Sequence, residues 1–136
     1  MPLPQPPATT FTVAAVRAAC ALFFLGMGLY GLTAPARLVR PFGLALNGAT
    51  ARTEVRAVYG GFGVATAAVL GWTATGSADP LRHGAALAVA VALLGMAGGR
   101  LTARLAEAPG SWYPSWCYFW VEAAAGSALL ATVMMT

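Results

Sequence analysis

Four runs of about twenty apolar residues, divided by breaks that carry proline and glycine, constrain this chain more than any other feature. They fall near residues 11–33, 50–75, 82–106 and 115–135. A bilayer's hydrocarbon core is about 30 Å thick, and a helix crosses it in about twenty residues. Backbone in lipid must bond to itself, so a spanning segment is a helix or part of a closed barrel. Barrel strands alternate apolar and polar residues over about ten positions. No such alternation occurs here. The expected fold is therefore all-α, an integral membrane four-helix bundle running up-down-up-down as a single domain over residues 1–136.

Composition points the same way. The chain is 59% hydrophobic and 9% charged, where a soluble domain carries about 25% charged residues. Lysine is absent, and the eight arginines are scattered among apolar segments. Without a basic tract they argue against a nucleic-acid partner and read as topology signals or ion-pair partners. Cys20 and Cys117 each lie within an apolar run and read as buried thiols. Two cysteines without a histidine cluster make no metal site. No motif for phosphate, haem or nucleotide is present, so any cofactor stays unknown.

The breaks set the boundaries. Residues 1–10 hold four of the nine prolines and read as a polar lead-in outside any helix. The first apolar run lacks the basic start and the A-x-A site of a cleaved signal, so a retained helix is expected. Arg17 stands alone in it and is expected to snorkel to the nearer surface. Pro35 and Pro41 open a connector, residues 34–49, apolar enough to lie on the membrane or tuck into the bundle. Turns are expected at 76–80 and 106–114. His83 is expected to be exposed. Small residues at Gly60, Gly61 and Gly63, at Gly95 and Gly99, and at Ala125 and Gly126 are spaced for close helix approach.

Arginine counts give an orientation. Arg37, Arg40, Arg52 and Arg56 lie near one connector and Arg100 with Arg104 near another, while the opposite side has Arg17 and Arg82. The positive-inside rule puts the richer side in the cytoplasm and both termini outside.

Glu122 is the only charge in the last apolar run. An ionisable residue inside the membrane marks a site and needs a partner. In an up-down bundle Glu54, Arg56, Arg100, Arg104 and Glu122 converge at one end, beside Trp116, Tyr118 and other aromatics. Arg100 is the expected partner of Glu122. Tyr59 shares a helical stripe with Arg52, Arg56, Gly60 and Gly63. The bland alternatives are an aromatic belt, interfacial arginine anchors and an ion pair that only fixes helix register.

The block TEVRAVYGGFG, residues 53–63, resembles the E-x-R-A-x-Y-G-G segment of a family of small bacterial membrane proteins, domain of unknown function 4345, related to DoxX-like proteins. GLYGLTAP at the end of the first run is similar to that family's G-x-Y-x-x-x-x-P ending. GMAGGR and the glutamate of the last run also fit. The resemblance implies a four-helix bundle in a bacterial inner membrane, with matched polar positions Glu54, Arg56, Tyr59, Arg100 and Glu122. It implies little about activity.

Two functional classes follow. One is a non-catalytic membrane component, either a lipophilic-ligand-binding protein or an accessory subunit of a larger membrane complex. Its partners would be membrane lipid, a small lipophilic ligand, or further copies of itself. The ligand would be held by Arg56, Tyr59, Arg100, Tyr118 and Trp116. The other is a membrane-embedded enzyme, an isomerase, cyclase or epoxide-opening type, with Glu122 as the acid and Glu54 as the base. Transport of a small solute or proton is a third class, open to a four-helix unit only as an oligomer.

Overall fold

The computed structural model describes residues 3–76, 79–108 and 111–136. All regular structure among them is helical. Helix α1 is Pro7–Thr33, and short α2, Pro35–Val39, runs into a 3₁₀ turn at Arg40–Phe42. Helix α3, Ala49–Val55, passes through a π turn at Arg56–Gly61 into α4, Phe62–Ala74. Helix α5 is Pro80–Ala106, and a π turn at Trp112–Trp116 leads into α6, Cys117–Met134. Four rods are thus long and apolar enough to cross a membrane: Pro7–Thr33, Ala49–Ala74, Pro80–Ala106 and Trp112–Met134.

These lie within a few residues of the expected runs, with two differences. The helix of α1 begins inside the expected lead-in, because Pro7 occupies its first position, where a missing N–H costs no hydrogen bond. The second run is one rod interrupted by a π turn, which breaks a regular 3.6-residue stripe. The expected turns pass partly through residues 77–78 and 109–110, which lie outside the described residues.

Capping follows ordinary rules where polar side chains are at hand. Asp79 caps α5, its Oδ1 accepting from the Arg82 N–H at 3.0 Å while Oδ2 accepts from Arg82 Nε at 2.9 Å. The backbone N–H of Arg82 chiefly holds the Asp79 carboxyl below its ordinary range. Arg82 also donates to the carbonyls of Trp72 and Thr75, tying the end of α4 to the start of α5.

The core gathers Cys20, Ala21 and Phe24 from α1, Ala67 and Leu70 from α4, Ala90 and Leu93 from α5, and Leu129 from α6. Packing is closest between α1 and α4 and between α5 and α6. Glycine makes both contacts. A Cβ at Gly28 would lie 2.7 Å from the Val64 nitrogen, and one at Gly63 would lie 2.9 Å from the Gly28 Cα. A Cβ at Gly126 would meet Leu94 Cγ at 2.9 Å. The expected contact stripe on α5 is absent: Gly95 and Gly99 face open space. Gly61 likewise meets no neighbouring helix; its nearest atom is the Arg56 oxygen at 3.9 Å. The connector's Leu38 and Val39 are buried, so it tucks against the bundle.

Candidate functional site

On α5 the buried residues Ala86, Ala90, Leu93 and Ala97 follow the three- and four-residue spacing of one face. Arg100 is the next step of that stripe. On α6 the buried residues Glu122, Gly126, Leu129 and Thr132 form the matching stripe. The two stripes pack together, and Gly126 lets the rods approach. Glu122 and Arg100 therefore meet where both stripes end.

Their geometry is a bidentate fork. Arg100 Nε donates to Glu122 Oε2 at 2.8 Å, and Nη2 donates to Oε1 at 2.9 Å. Glu122 is only 4% exposed. Charge-assisted forks of this kind are the strong class of hydrogen bond. The Arg100 guanidinium carbon lies 5.6 Å from the centre of the Tyr118 ring. Tyr118 in turn neighbours Phe42 at 5.5 Å and Tyr113 at 6.4 Å between ring centres. Tyr59, on the π turn at Arg56–Gly61, is exposed. One aromatic ring, that of Tyr118, thus lies beside the cation that Glu122 holds.

The other residues expected at this end do not join the pair. Arg56 Nε donates to the Leu32 carbonyl at 3.0 Å, closing one of the unpaired carbonyls at the end of α1. A Cβ at the neighbouring Gly31 would lie 2.9 Å from the Gly60 nitrogen. The two motif segments, GLYGLTAP and TEVRAVYGGFG, are therefore one helix-to-helix joint, and that joint occupies Arg56. Glu54 is exposed and has no hydrogen-bond or ion-pair partner among the described residues. Arg104 lies over the Trp116 ring, 4.1 Å from its centre. The expected convergence of two acids and three bases reduces to one acid and one base.

Arg17 corrects the sequence reading most. It does not snorkel: it is 2% exposed. Its Nε donates to Thr132 Oγ1 and its Nη1 to the Thr73 carbonyl, both at 3.1 Å. Helical phase carried the signal, since Val13, Arg17, Cys20 and Phe24 form one buried stripe on α1. His83 is half-buried; its Nδ1 lies 3.1 Å from the Asp79 carbonyl and its Nε2 contacts Thr136 Oγ1.

Comparison with known proteins decides the family. The model of domain of unknown function DUF4345 matches residues 13–133. The chain belongs to this family. No curated protein and no solved structure gives a significant match. The match spans both signature segments, the Arg100–Glu122 pair and Arg17, so family membership covers both polar ends of the bundle.

Proposed function

We propose that this chain is a multi-pass protein of a bacterial inner membrane, an up-down-up-down bundle that binds a lipophilic ligand without acid–base chemistry of its own. The observation that carries this reading is a groove of about 690 Å³ between α1 and α4. Ala15, Ala18 and Leu22 line one wall and Val64, Ala68 and Gly71 the other. Its volume suits a ligand-sized molecule. Alanine and glycine make it a channel for a slender apolar chain.

Membrane insertion is supported by the outer surface. Leu22, Phe62, Val91 and Leu105 are all more than half exposed, an arrangement that water would penalise and lipid would not. Orientation with both termini outside is supported by the state of the arginines. Arg37, Arg40 and Arg104 are exposed at the richer side, while Arg17 is buried and Arg82 is paired to Asp79. The enzyme alternative is disfavoured because Arg100 engages both oxygens of Glu122, leaving neither to deliver a proton. Glu54 offers no second acid beside it.

Native mass spectrometry of the full chain in mild detergent tests the reading. The expected result is a retained lipophile of defined mass, lost in Ala68→Trp, which fills the groove from an exposed position while the protein stays folded. A wild-type protein that carries no adduct, or an adduct indifferent to Ala68→Trp, overturns it. The same spectra report whether further copies accompany the chain.

A further inference from the structure

Among the described residues Arg17 is the one fully buried arginine, while the less buried Arg82 and Arg100 each pair with an acid, Asp79 and Glu122. Arg17 makes no ion pair among the described residues, and its Nη2 has no hydrogen-bond partner there although it is sealed from solvent. An arginine this deeply buried stays protonated, and a buried cation without an anion is strongly unfavourable. Neutral partners, Thr132 Oγ1 and the Thr73 carbonyl, satisfy only part of its fork.

A cavity of about 630 Å³ lies against this side chain, with Arg17, Thr73, His83 and Thr136 on its wall. Asp79 also lines it, but its carboxylate is already held by Arg82. Paired as Asp79–Arg82 it brings no net charge, so the single uncompensated guanidinium of the wall, Arg17, matches a singly charged guest rather than a dianion. The cavity and the alanine groove share two wall residues, Ala14 of α1 and Ala74 of α4. A cavity with one unanswered cation on a mostly apolar wall thus adjoins a slender apolar groove.

We propose that Arg17 binds the singly charged oxyanion head of a single-chain amphiphile, a long-chain carboxylate, whose tail lies in the alanine groove. This names the ligand class of the proposed lipophile site and rests on that reading. The head takes the Nη2 donor of Arg17, and Thr136 with the Leu3–Gln5 segment is the exposed part of the wall that yields to admit it. The tail passes between Ala14 and Ala74.

The test measures binding of oleate, methyl oleate, butyrate, inorganic phosphate and phosphatidylglycerol to the full chain in detergent. It uses displacement of a fluorescent fatty acid together with the shift in unfolding temperature. Oleate is expected to bind and to raise the unfolding temperature. Methyl oleate lacks the charge, and butyrate and phosphate lack the tail, so each is expected to bind at least about tenfold more weakly. Arg17→Met removes the buried charge and keeps the length. It is expected to fold, at equal or higher stability without oleate, and to bind oleate about 10–100-fold more weakly. Should Arg17→Met fail to fold, Ala14→Phe blocks the passage between cavity and groove with Arg17 in place, and the same loss is expected.

Equal binding of oleate and methyl oleate would overturn the assignment of Arg17 and leave the lipophile reading standing. Binding of neither would overturn both. Phosphatidylglycerol matching oleate would make Arg17 a contact for ordinary anionic lipid and overturn the single-chain ligand. Oleate affinity unchanged in Arg17→Met, or in Ala14→Phe, would also overturn it.

Discussion

Glu122→Gln is expected to lower the stability of the purified protein by about 3 kcal/mol, near the low end of what breaking a buried ion pair costs. The glutamine keeps the shape and one acceptor, but it leaves Arg100 charged and without its anion. The low end applies because the Arg100 side chain is 26% exposed and can turn partly outward. Replacing both partners, as Glu122→Leu with Arg100→Met, is expected to restore most of the loss, since apolar pairs often substitute for buried ion pairs at no net cost. Thermal or denaturant unfolding in detergent of the two single variants and the double variant gives the coupling directly. Single and double variants that are all as stable as wild type would remove the pair from the account of the fold.

Gly28→Ala and Gly63→Ala are each expected to destabilise by about 1–3 kcal/mol, and larger side chains by more. The added methyl at Gly28 meets backbone, the Val64 nitrogen at 2.7 Å, so no flexible side chain can move aside. Gly95→Ala and Gly99→Ala serve as opposite controls. Both positions are open, and alanine there is expected to stabilise α5 by about 0.5–1 kcal/mol through helix propensity. Unfolding measurements on the four variants should separate into two pairs of opposite sign. Four similar values would mean that the contact between α1 and α4 does not depend on glycine.

The helical class and the limits of the rods were legible because segment length and apolar content directly reflect the constraint on backbone hydrogen bonds. The Glu122–Arg100 pairing was legible for a related reason: a lone acid in an apolar helix needs a cation, and only arginines near one end could reach it. The misreadings have one physical root. Residue type alone does not say which way a helix face points. Arg17 read as a snorkelling anchor because it is basic and near a helix start, yet it lies on the Val13–Cys20–Phe24 stripe that faces the core. Gly95 and Gly99 read as packing residues because they are glycine at a four-residue spacing, yet α5 turns Ala90, Leu93 and Ala97 inward instead. Arg56 and Glu54 read as site residues because they sit near Arg100 in depth. The π turn at Arg56–Gly61 and the Leu32 carbonyl direct Arg56 to the end of α1.

The most direct test of the central claim, that Glu122 is an ionised structural partner of Arg100, is its protonation state in the folded protein. Infrared spectra of wild type and Glu122→Gln at neutral pH, subtracted from one another, isolate this one side chain. The account predicts loss of carboxylate bands in the variant and no change in the region where a protonated carboxylic acid absorbs. A protonated-acid band present in wild type and absent in Glu122→Gln would contradict it and return Glu122 to the role of a proton donor.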